Sequence, residues 1–485
     1  MKILFAASEA VPFAKTGGLA DVAGSLPPAL ARLGHDVSVV MPRYRQVDIA
    51  AYNLKPVSSF LVPLGTWKER CDVFEGRMGR NVTVYFINKD MYYDRPELYQ
   101  TARADYPDNA ERFIFFSRAV LELCTALDLR PEIVHCNDWQ TGLVPLYLKK
   151  IYGGTGPLRR TRSVFTVHNV GYQGIFWHWD MRLTGLDWDV FTPDGIEFWG
   201  KMNLLKAGLV YADVVSTVSK TYSREIQTPE YGYGLEGVLV KRAEDLYGIA
   251  NGIDYNEWNP SRDHSIPRTY SAARPAGKVA CKKTLLARLN LPDAGEPLIG
   301  MVTRLVDQKG LDILTEALPE ILSLGVQLVI LGTGDVKYHQ VLTEAASRYQ
   351  DRMRVLLQYN DGLAKNIYAG SDLFLMPSHY EPCGLGQMIA LRYGTVPVVR
   401  RTGGLADTVV DYRAKTGRGT GFLFKKYSAA ALVNCLRRAL EVYGKPKKWK
   451  LLVQAGMKQN FSWEQSAKEY VKIYRKALKK AGSMP

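Results

Sequence analysis

The chain has 485 residues, of which 47% are hydrophobic and 23% are charged, and its formal net charge is +15. These proportions are typical of a folded globular protein and exclude an intrinsically disordered chain. The length predicts two domains, because a single hydrophobic core stops growing near about 250–300 residues. No window reaches the roughly 18–20 continuous apolar residues of a membrane span, and the first apolar run is too short for a signal peptide. We therefore expect a cytoplasmic protein that does not bind membranes.

The positive charge is concentrated near the carboxyl terminus. Residues 437–485 contain thirteen Lys or Arg and three Asp or Glu, so they carry +10 of the net charge. No zinc-finger or RNA-recognition signature accompanies this charge, which favours a solvated basic surface over a nucleic-acid function. The six cysteines are scattered, with no Cys-x-x-Cys pair, and are expected to be mostly buried thiols outside any disulfide.

Short apolar runs typical of buried strands alternate with helical stripes along most of the chain. In the first half, strands are predicted over 2–7, 36–41, 82–87, 132–136, 163–167 and 214–218, and helices over 19–33, 113–127, 141–151 and 198–211. In the second half, strands are predicted over 298–303, 326–331, 353–357, 373–376 and 396–399, and helices over 310–323, 335–349, 364–370 and 385–393. Residues 451–480 are predicted to form two helices separated near Phe461.

This alternation predicts an α/β protein with two Rossmann-like doubly wound domains. Residues 258–275 contain three prolines and no periodicity, so we place the boundary there, with a first domain over 1–257 and a second over 258–460. The last helices, and residues 461–480 in particular, are expected to pack back on the first domain. Their apolar anchors would be Trp449, Leu452, Phe461, Trp463, Tyr470 and Tyr474.

The loop Lys15-Thr16-Gly17-Gly18-Leu19-Ala20-Asp21 lies between the first predicted strand and the first predicted helix. In a βαβ unit a ligand lies beyond the carboxyl ends of the strands, next to this loop. Gly17 and Gly18 lack Cβ atoms, so backbone N–H groups there can approach an anion, and Lys15 adds a positive charge. The alternative, a simple turn with a solvated lysine, stays open for a glycine pair taken alone.

Two other strands of the first half end in polar loops. Asn137-Asp138 follows the strand over 132–136, and His168-Asn169 follows the strand over 163–167. If the sheet is parallel, these loops and the glycine loop share one edge. This predicted convergence is a stronger signal than any one of the motifs.

In the second half, Arg304 and Lys309 flank the start of a predicted helix. Arginine can bind two oxygens at once, lysine supplies a point charge, and the helix terminus adds N–H donors, so the pair suits a diphosphate. Gly332-Thr333-Gly334 follows the next strand in the same way, although a lone Gly-x-Gly is weak evidence. Two α/β domains with such loops favour a nucleotide-linked ligand.

The segment Glu381-Pro382-Cys383-Gly384-Leu385-Gly386-Gln387 opens another predicted helix. The Glu381 carboxylate can accept hydrogen bonds from sugar hydroxyls, while the amides of residues 384–387 can meet an anion. An equally weighted alternative is that Glu381 only favours the positive end of the helix dipole.

Two further patterns are noted. The hexamer Thr16–Asp21 recurs as Thr402–Asp407, which we interpret as shared local geometry in two similar domains. Asp187-Trp188-Asp189 matches the Asp-x-Asp pattern with which some sugar transferases hold a divalent metal. Three residues are weak evidence, and with Arg304 and Lys309 able to offset the charge of a diphosphate we expect no metal and no other cofactor.

Taken together, these motifs resemble those of the bacterial glycogen synthases and plant starch synthases, family 5 of the glycosyltransferases. Lys15–Asp21 is similar to the Lys-x-Gly-Gly-Leu signature of the family. The other blocks follow in the family's order along nearly the whole chain, at His135–Trp139, Phe165–Asn169, Glu197–Gly208, Asn251–Asp254, Arg304–Gly310, Glu381–Gln387 and Arg400–Thr408.

The resemblance implies the GT-B fold, in which two Rossmann-like domains face a deep cleft that holds the active site. It implies a retaining enzyme that moves glucose from ADP-glucose to the 4-hydroxyl at the non-reducing end of an α-1,4-glucan. The substrates would be ADP-glucose and glycogen or a related glucan. No metal, nucleic acid or membrane partner is implied, and the oligomeric state is left undetermined.

The resemblance also implies roles for individual residues. Catalytic roles fall to His168, Arg304, Lys309 and Glu381. Donor binding falls to Lys15, Gly17, Gly18, Asp21, Asn251, Gly332, Tyr359, Cys383, Gly384, Leu385 and Gly386. The acceptor channel would be lined by Glu9, Tyr93, Asp138 and Asn169.

Two positions depart from the bacterial pattern, since Gln140 replaces a common His and Gly386 a common Thr. The alternatives are a retaining GT-B glucosyltransferase that uses UDP-glucose or a small sugar acceptor, and a glucan-binding protein without catalysis. A pyridoxal-phosphate glucan phosphorylase is disfavoured because such enzymes are much longer.

Overall fold

The computed structural model describes residues 1–101, 104–153 and 156–480. The chain forms two compact units: the first contains Met1–Asn251 and the residues from Trp463 onward, and the second contains Gly252–Ser462. The division therefore falls six residues before the boundary expected from the sequence. Residues just after Asn251 belong to the second unit because the N–H of Ile253 donates a hydrogen bond to the carbonyl oxygen of Phe461, at 2.8 Å.

The first unit contains a central sheet with helices around it. Its strands are β1 (Lys2–Ala6), β2 (Asp36–Pro42), β3 (Lys55–Leu64), β4 (Trp67–Met78), β5 (Val82–Asn88), β6 (Ile133–Asn137), β7 (Arg162–Val167), β8 (Ile175–Trp177), β9 (Glu197–Phe198), β10 (Lys201–Asn203), β11 (Val214–Thr217) and β12 (Leu246–Gly248). Its helices up to residue 251 are α1 (Gly18–Arg32), α2 (Asp90–Tyr93), α3 (Asn109–Ala126), α4 (Leu143–Tyr147), α5 (Met181–Thr184), α6 (Leu204–Tyr211), α7 (Lys220–Glu225) and α8 (Glu236–Lys241).

The strand order in the main sheet is β12-β11-β7-β6-β1-β2-β5-β4-β3. The strands from β12 to β5 pair in parallel, as expected for a doubly wound domain, with Ile3 opposite both Val37 and Ile133. The hairpin β3–β4 extends the sheet in the antiparallel direction. This hairpin was not predicted from the sequence, because β3 is a half-exposed edge strand that carries Pro56 and Pro63, and so lacks the apolar run of a buried strand.

A small antiparallel sheet with the order β8-β10-β9 lies beside the main one. It replaces the beginning of the helix predicted over 198–211. Trp199 and Gly200 have φ values of 52° and 74°, so the chain turns there. The helix α6 begins only at Leu204, where the side chain of Asn203 accepts a hydrogen bond from the N–H of Lys206.

The second unit is a six-stranded parallel sheet covered by helices, with the order β15-β14-β13-β16-β17-β18. Its strands are β13 (Leu298–Val302), β14 (Gln327–Leu331), β15 (Met353–Leu356), β16 (Leu373–Met376), β17 (Val396–Arg400) and β18 (Phe422–Phe424). Its helices are α9 (Ala276–Arg288), α10 (Leu311–Ser323), α11 (Val336–Arg348), α12 (Asp361–Gly370), α13 (Gly386–Arg392), α14 (Gly403–Thr408), α15 (Ala429–Tyr443) and α16 (Pro446–Met457). Of these elements, α9, α15 and β18 were not predicted from the sequence.

The two terminal helices belong to different units. The helix α16 packs in the second unit, where Leu452 is part of the hydrophobic core and Trp449 makes an edge contact with Tyr443. The expectation that both helices pack on the first domain is therefore wrong for α16. The last helix, α17 (Trp463–Lys479), lies in the first unit against α1 and buries its apolar face.

The six cysteines, all of them within the described residues, are buried thiols outside disulfides. No helix in the described ranges is both long enough and apolar enough to cross a membrane.

Candidate active site

In the first unit, Glu9 organises the glycine loop ahead of α1. Its carboxylate accepts hydrogen bonds from the N–H of Thr16 at 2.5 Å, from the Thr16 hydroxyl at 3.0 and 3.1 Å, and from the N–H of Gly17 at 3.3 Å. Burial raises the pKa of Glu9, against the lowering effect of the hydrogen bonds from Thr16. The carboxylate thus holds the loop in one conformation at the start of the helix.

The loop also carries the charges expected from the sequence. The Nζ atom of Lys15 lies 2.8 Å from Oδ1 of Asp21, and both side chains are partly exposed. A Cβ atom built on Gly18 meets no atom of the residues that the structure describes within 4 Å. Neither packing nor a positive φ requires glycine at this position, so the space beside its backbone is open to a ligand.

The ends of β6 and β7 meet as the sequence predicted. The backbone N–H of His168 donates to Oδ1 of Asp138 at 2.7 Å, and His168 Nε2 lies 3.0 Å from Oδ1 of Asn137. The Nδ2 group of Asn137 donates to the carbonyl oxygens of Ala6 and His135, which fixes the orientation of its amide. His168 therefore donates through Nε2–H, and its Nδ1 atom is left with the lone pair.

Both histidines in this region are neutral, because burial lowers the pKa of His168 and of His135 to about 3. His135 lies beneath the site. Its Nδ1 is 2.8 Å from the Tyr474 hydroxyl on α17 and its Nε2 is 2.6 Å from the Thr166 hydroxyl. Thr166 in turn contacts the Ser216 hydroxyl at 2.6 Å. This buried network ties α17 to the strands whose ends carry Asp138 and His168.

Asp138 has an unusual backbone and an unusual charge state. Its φ is 54°, a value that few residues other than glycine adopt, so the surrounding hydrogen bonds hold it there. Burial raises the pKa of Asp138 to about 7, and the negative charge of Glu9 contributes in the same direction. Glu9 and Asp138 are therefore close enough for the charge of one to oppose ionisation of the other.

The remaining first-unit residues differ in accessibility. Asn169 is half-buried, and its Oδ1 accepts from the N–H of Gly171 at 3.0 Å. Asn251 is buried, and its Oδ1 has no hydrogen-bond partner among the described residues. Tyr93 is fully buried and donates its hydroxyl to the carbonyl oxygen of Arg112 at 3.0 Å. The ring is enclosed by the protein in this structure, and its role in the acceptor channel stays a prediction.

In the second unit, Lys309 and Glu381 form a buried ion pair. The Nζ atom of Lys309 lies 3.0 and 2.8 Å from the two carboxylate oxygens, and the side chains are 15% and 7% exposed. The hydroxyl of Ser378 donates to Glu381 Oε2 at 3.0 Å. The carboxylate is therefore fixed by two neighbours, which goes beyond the helix-dipole interpretation of Glu381.

Arg304 lies at the end of β13 in a different environment. Its side chain is exposed and makes no hydrogen bond or ion pair with the residues that the structure describes. The following turn leads to Gly310, whose φ is 71° and whose Cβ would lie 2.1 Å from the carbonyl oxygen of Pro377. Glycine is thus required there, and it lets α10 begin directly after the two cations.

The other donor-side residues lie at the ends of neighbouring strands. Gly332 follows β14, and a Cβ there would lie 1.8 Å from the carbonyl oxygen of Thr303 at the end of β13. Tyr359 follows β15 and is 74% exposed. These contacts bring Gly332 and Arg304 to the same edge of the sheet, because parallel strands end on one side.

The loop before α13 is braced by the second copy of the repeated hexamer. The N–H of Gly404 donates to the carbonyl oxygen of Glu381 at 3.0 Å. A Cβ on Gly403 would lie 1.9 Å from that same oxygen, and a Cβ on Gly404 would lie 1.9 Å from the carbonyl oxygen of Cys383. Both copies of the hexamer therefore open a helix, but the glycines of the second copy are needed for packing.

The side chain of Gln387 closes this loop, since its Nε2 group donates to the carbonyl oxygens of Cys383 and Gly384 at 3.1 and 2.8 Å. Leu385 and Gly386 complete the loop and are half-buried. A Cβ on Gly386 would lie 3.0 Å from the ring of Phe374, so the threonine common in the family would require that ring to shift. At the other departure, Gln140 is buried, and its Oε1 has no hydrogen-bond partner among the described residues.

The Asp-x-Asp segment is a short turn on the first unit. Asp189 pairs with Lys150, with Nζ 2.7 Å from Oδ2, and both side chains are largely exposed. Within the described ranges, no group of three or more His, Cys, Asp or Glu side chains is arranged to hold a metal ion.

Two residues that the sequence analysis did not assign contact the predicted site directly. Asn137 fixes the tautomer of His168, and Ser378 donates to Glu381. The position of Asn137 at a strand end, just before Asp138, was a usable signal. Ser378 gave none, because an isolated serine in a loop has no distinguishing pattern.

Known families and known proteins match nearly the whole chain. Residues 2–241 match the family described as "Starch synthase catalytic domain", and residues 284–452 match "Glycosyl transferases group 1". The chain is 50% identical over 484 residues to a glycogen synthase of Geotalea daltonii, covering 99% of this chain and all of that protein. It is 47% identical over 488 residues to a glycogen synthase of Thermosipho africanus, with 99% and 100% coverage.

Among solved structures, the catalytic domain of Starch Synthase IV from Arabidopsis thaliana, bound to ADP and acarbose, is similar with a TM-score of 0.90. It is 34% identical, and the match covers 99% of both chains. Sucrose-phosphate synthase from Thermosynechococcus elongatus has a TM-score of 0.61 at 18% identity, with 98% coverage of both chains, which shows a shared fold only.

Proposed function

The chain belongs to the glycogen and starch synthase family, and from this premise we propose that its donor is ADP-glucose. The chain has the GT-B fold and is a glucan synthase, an enzyme that transfers glucosyl units in glycogen or starch synthesis. Its substrates are a nucleotide sugar and a glucan. The identity of the nucleotide, the bond formed and the roles of individual residues are the proposal.

The exposed guanidinium of Arg304 is the observation that carries the donor proposal. It lies at the end of β13, next to the turn that starts α10, and it has no competing anion among the described residues. A diphosphate there would gain two hydrogen bonds from one planar group. In the first unit, the open space beside Gly18 and the charge of Lys15 also suit an anionic group of the donor.

The base of the donor is assigned to Tyr359. Its ring is 74% exposed at the end of β15, where it offers a stacking face to adenine. The related starch synthase is bound to ADP, which supports adenine as the base.

Glu381 is proposed to hold the transferred glucose. Lys309 and Ser378 orient the carboxylate, whose remaining lone pair on Oε1 can accept a hydrogen bond from a sugar hydroxyl. Lys309 in this arrangement contributes positive charge near the departing diphosphate while it positions Glu381.

Reaction with retention is proposed to occur by departure of the diphosphate from the face that the acceptor hydroxyl attacks. No carboxylate was identified by its sequence pattern as a nucleophile, and His168 is neutral, with its Nδ1 lone pair available to accept a hydrogen bond. Stabilisation of the leaving group would then supply much of the rate. The bond formed joins C1 of glucose to the 4-oxygen of the chain end, the bond broken joins C1 to the β-phosphate oxygen, and the proton of the 4-hydroxyl passes to that departing phosphate oxygen.

The acceptor is assigned to Glu9, Asp138 and Asn169 in the first unit. Glu9 and Asp138 influence each other's ionisation, and Asp138 can act as donor or acceptor near pH 7 because its pKa is about 7. Such groups suit the hydroxyls of an α-glucan end. The related starch synthase is bound to acarbose, which supports the proposal that this chain also has a site for an oligosaccharide.

The test is glucose incorporation into glycogen from ADP-glucose and UDP-glucose, measured side by side with saturating acceptor. We expect kcat/KM to be higher for ADP-glucose, and Tyr359→Ala to reduce that preference. Tyr427→Ala, which alters another tyrosine of the second unit, serves as the control. Preference for UDP-glucose, or turnover with neither donor, would contradict the proposal.

A further inference from the structure

The first unit contains a cavity of about 540 Å³, lined by residues of β9, α6 and α8 and of the segments beside them. This volume lies within the range of small-molecule sites, about 300–1,000 Å³. We call it the α8 cavity, and its wall includes Phe198, Lys206, Val210, Gly237 and Val238. None of the described residues that line it is among those proposed above for the donor or the acceptor.

Part of the wall of the α8 cavity is apolar and aromatic. Phe198, Val210 and Val238 supply apolar side chains, and the neighbouring indole of Trp199 has its ring centroid 6.3 Å from that of Phe198. Gly234, with φ of 83°, lets the chain run close to the Phe198 ring, since a Cβ there would lie 2.9 Å from it. A flat apolar ring would therefore find both an aromatic face and aliphatic contacts in this cavity.

The ammonium group of Lys206 places a buried positive charge on the same wall. Lys206 is 5% exposed, and its Nζ donates to the carbonyl oxygens of Pro193 and Glu197 at 2.7 and 2.5 Å. Among the residues that the structure describes, no carboxylate lies within ion-pairing distance of this Nζ, and its third N–H has no hydrogen-bond partner. Burial lowers the pKa of Lys206, against the raising effect of Glu197 and Asp194. An anion in the cavity would compensate this charge.

The other charged side chains of the wall already have partners. Lys241 pairs with Asp194, with Nζ 2.7 Å from Oδ1, and the Glu197 carboxylate accepts a hydrogen bond from a backbone N–H at 2.6 Å. The Arg242 guanidinium donates to four carbonyl oxygens and lies 3.5 Å from Oδ2 of Asp245. Lys206 is therefore the wall residue best placed to bind an anion.

Gly237 leaves open space on this wall. It is the second residue of α8, its φ is not positive, and a Cβ there would meet no atom of the described residues within 4 Å. Glycine within a helix is less favourable than alanine by about 0.5–1 kcal/mol. Neither packing nor backbone conformation accounts for the glycine, so its presence keeps the cavity open at a cost to the helix.

We propose that the α8 cavity binds a small organic anion with a flat apolar ring system, at a site separate from that of the reaction. The ring would lie against Phe198 and Val238, in the space beside Gly237, and the anionic group would accept the hydrogen bond that Lys206 has available. A neutral sugar is a poor match, because it would leave the charge of Lys206 uncompensated and its hydroxyls would face apolar side chains.

The first test uses the unaltered protein and two fluorescent probes. 8-Anilinonaphthalene-1-sulfonate and N-phenyl-1-naphthylamine share one ring system and differ by the sulfonate. Each is titrated with excess ADP and maltotriose present, so that the sites of the reaction are filled. The sulfonate probe should bind saturably, at one molecule per chain, and roughly tenfold or more tightly than the uncharged probe. Equal affinities, or loss of the sulfonate signal when ADP or maltotriose is added, would overturn the proposal.

The second test fills the cavity. Gly237→Leu should weaken binding of the sulfonate probe roughly tenfold or more, because its side chain would occupy the open space. Gly362→Leu is the matched control: Gly362 is the second residue of α12, its Cβ would come no closer than 3.6 Å to a described atom, and affinity should stay within about twofold. Lys206→Met should bind both probes equally, and Gly237→Leu decides the matter if that variant does not fold. Unchanged binding by Gly237→Leu would overturn the proposal.

Discussion

At the scale of single residues, the two cations on the donor side have different surroundings. The Arg304 side chain is exposed, whereas Lys309 is in contact with both oxygens of the buried Glu381. Removing an exposed side chain seldom changes stability, but removing one partner of a buried ion pair leaves an uncompensated charge. The same substitution is therefore expected to have different effects at the two positions.

Arg304→Ala should lower kcat on the order of ten- to a thousandfold at saturating ADP-glucose, with an unchanged melting temperature. Charge-assisted hydrogen bonds contribute about 1.5–3 kcal/mol each, and more where water is excluded, and about 1.4 kcal/mol corresponds to a factor of ten in rate. Steady-state kinetics and differential scanning fluorimetry check this together. A raised KM with normal kcat would mean that Arg304 binds the diphosphate equally in the ground and transition states.

Lys309→Ala should lower kcat and also destabilise the second unit by about 3–5 kcal/mol, because the Glu381 carboxylate is left buried without its cation. The control is Lys309→Met combined with Glu381→Gln, which removes both charges. The double variant should recover much of the lost melting temperature and none of the activity. If Lys309→Ala melts like the unaltered protein, the ion pair contributes nothing measurable to stability.

Asp138 should make stability depend on pH. Its pKa is raised from 3.8 to about 7, so between these values the folded chain keeps a proton that the unfolded chain has released. Stability is then lost as the pH rises through this window, by up to about 1.4 kcal/mol per pH unit. Asp138→Asn should raise the melting temperature at pH 8 and have little effect near pH 4, with Asp187→Asn as the exposed control. An equal shift at both pH values would contradict the assignment.

At the scale of elements, the helix α17 is joined to the main sheet of the first unit by one polar contact as well as by apolar packing. The Tyr474 hydroxyl lies 2.8 Å from Nδ1 of the buried, neutral His135. A buried polar atom that loses its partner costs about 1–3 kcal/mol. The attachment of this helix can therefore be tested by removing a single oxygen atom.

Tyr474→Phe should lower the melting temperature by about 2–12 °C, from a loss of about 1–3 kcal/mol at roughly 2–4 °C per kcal/mol, and should speed proteolysis beyond Phe461. Tyr412→Phe is the control, because the buried Tyr412 hydroxyl has no hydrogen-bond partner among the described residues. Equal effects of the two substitutions would show that the contact with His135 does not hold the helix.

How well an element could be predicted depends on how it is buried. Strands covered on both faces, such as β1 and β14, have uninterrupted apolar runs and were predicted closely. The hairpin β3–β4 and the small sheet containing β8 were not predicted. Their side chains alternate between exposed and partly buried positions, and β3 contains proline, so neither has an uninterrupted apolar run. The start of α6 was misplaced because the positive φ of Trp199 leaves no pattern in the sequence.

The candidate site could be predicted only to the level of residue identity. Strand ends and glycine loops indicated Asp138, His168, Arg304 and Lys309, since those signals are local. The burial of Tyr93 and the pairing of Lys309 with Glu381, 72 residues away, arise from tertiary packing. Local sequence patterns do not reveal contacts between distant residues. For this reason Arg304 and Lys309 were first assigned a single shared role.

At the scale of the whole molecule, catalysis is expected to persist in excess EDTA. Arg304 and Lys309 are proposed to offset the charge of the diphosphate, and Asp189 is paired with Lys150. Activity is measured before and after chelation, with the Asp187→Asn and Asp189→Asn double variant as a matched control that should equal the unaltered protein. Loss of activity that Mg²⁺ or Mn²⁺ restores would show that the reaction needs a metal.

The repeated hexamer bears on how mutational tolerance should be distributed along the chain. In Thr402–Asp407 the glycines are enclosed by the carbonyl oxygens of Glu381 and Cys383, whereas no described residue occupies the space beside Gly18. A saturation screen scored for cellular abundance should therefore show Gly403 and Gly404 as intolerant and Gly18 as permissive. Scored for polymer accumulation, the same screen should show all three as intolerant. The two identical hexamers would then be constrained differently, one copy by folding and the other by binding of the ligand.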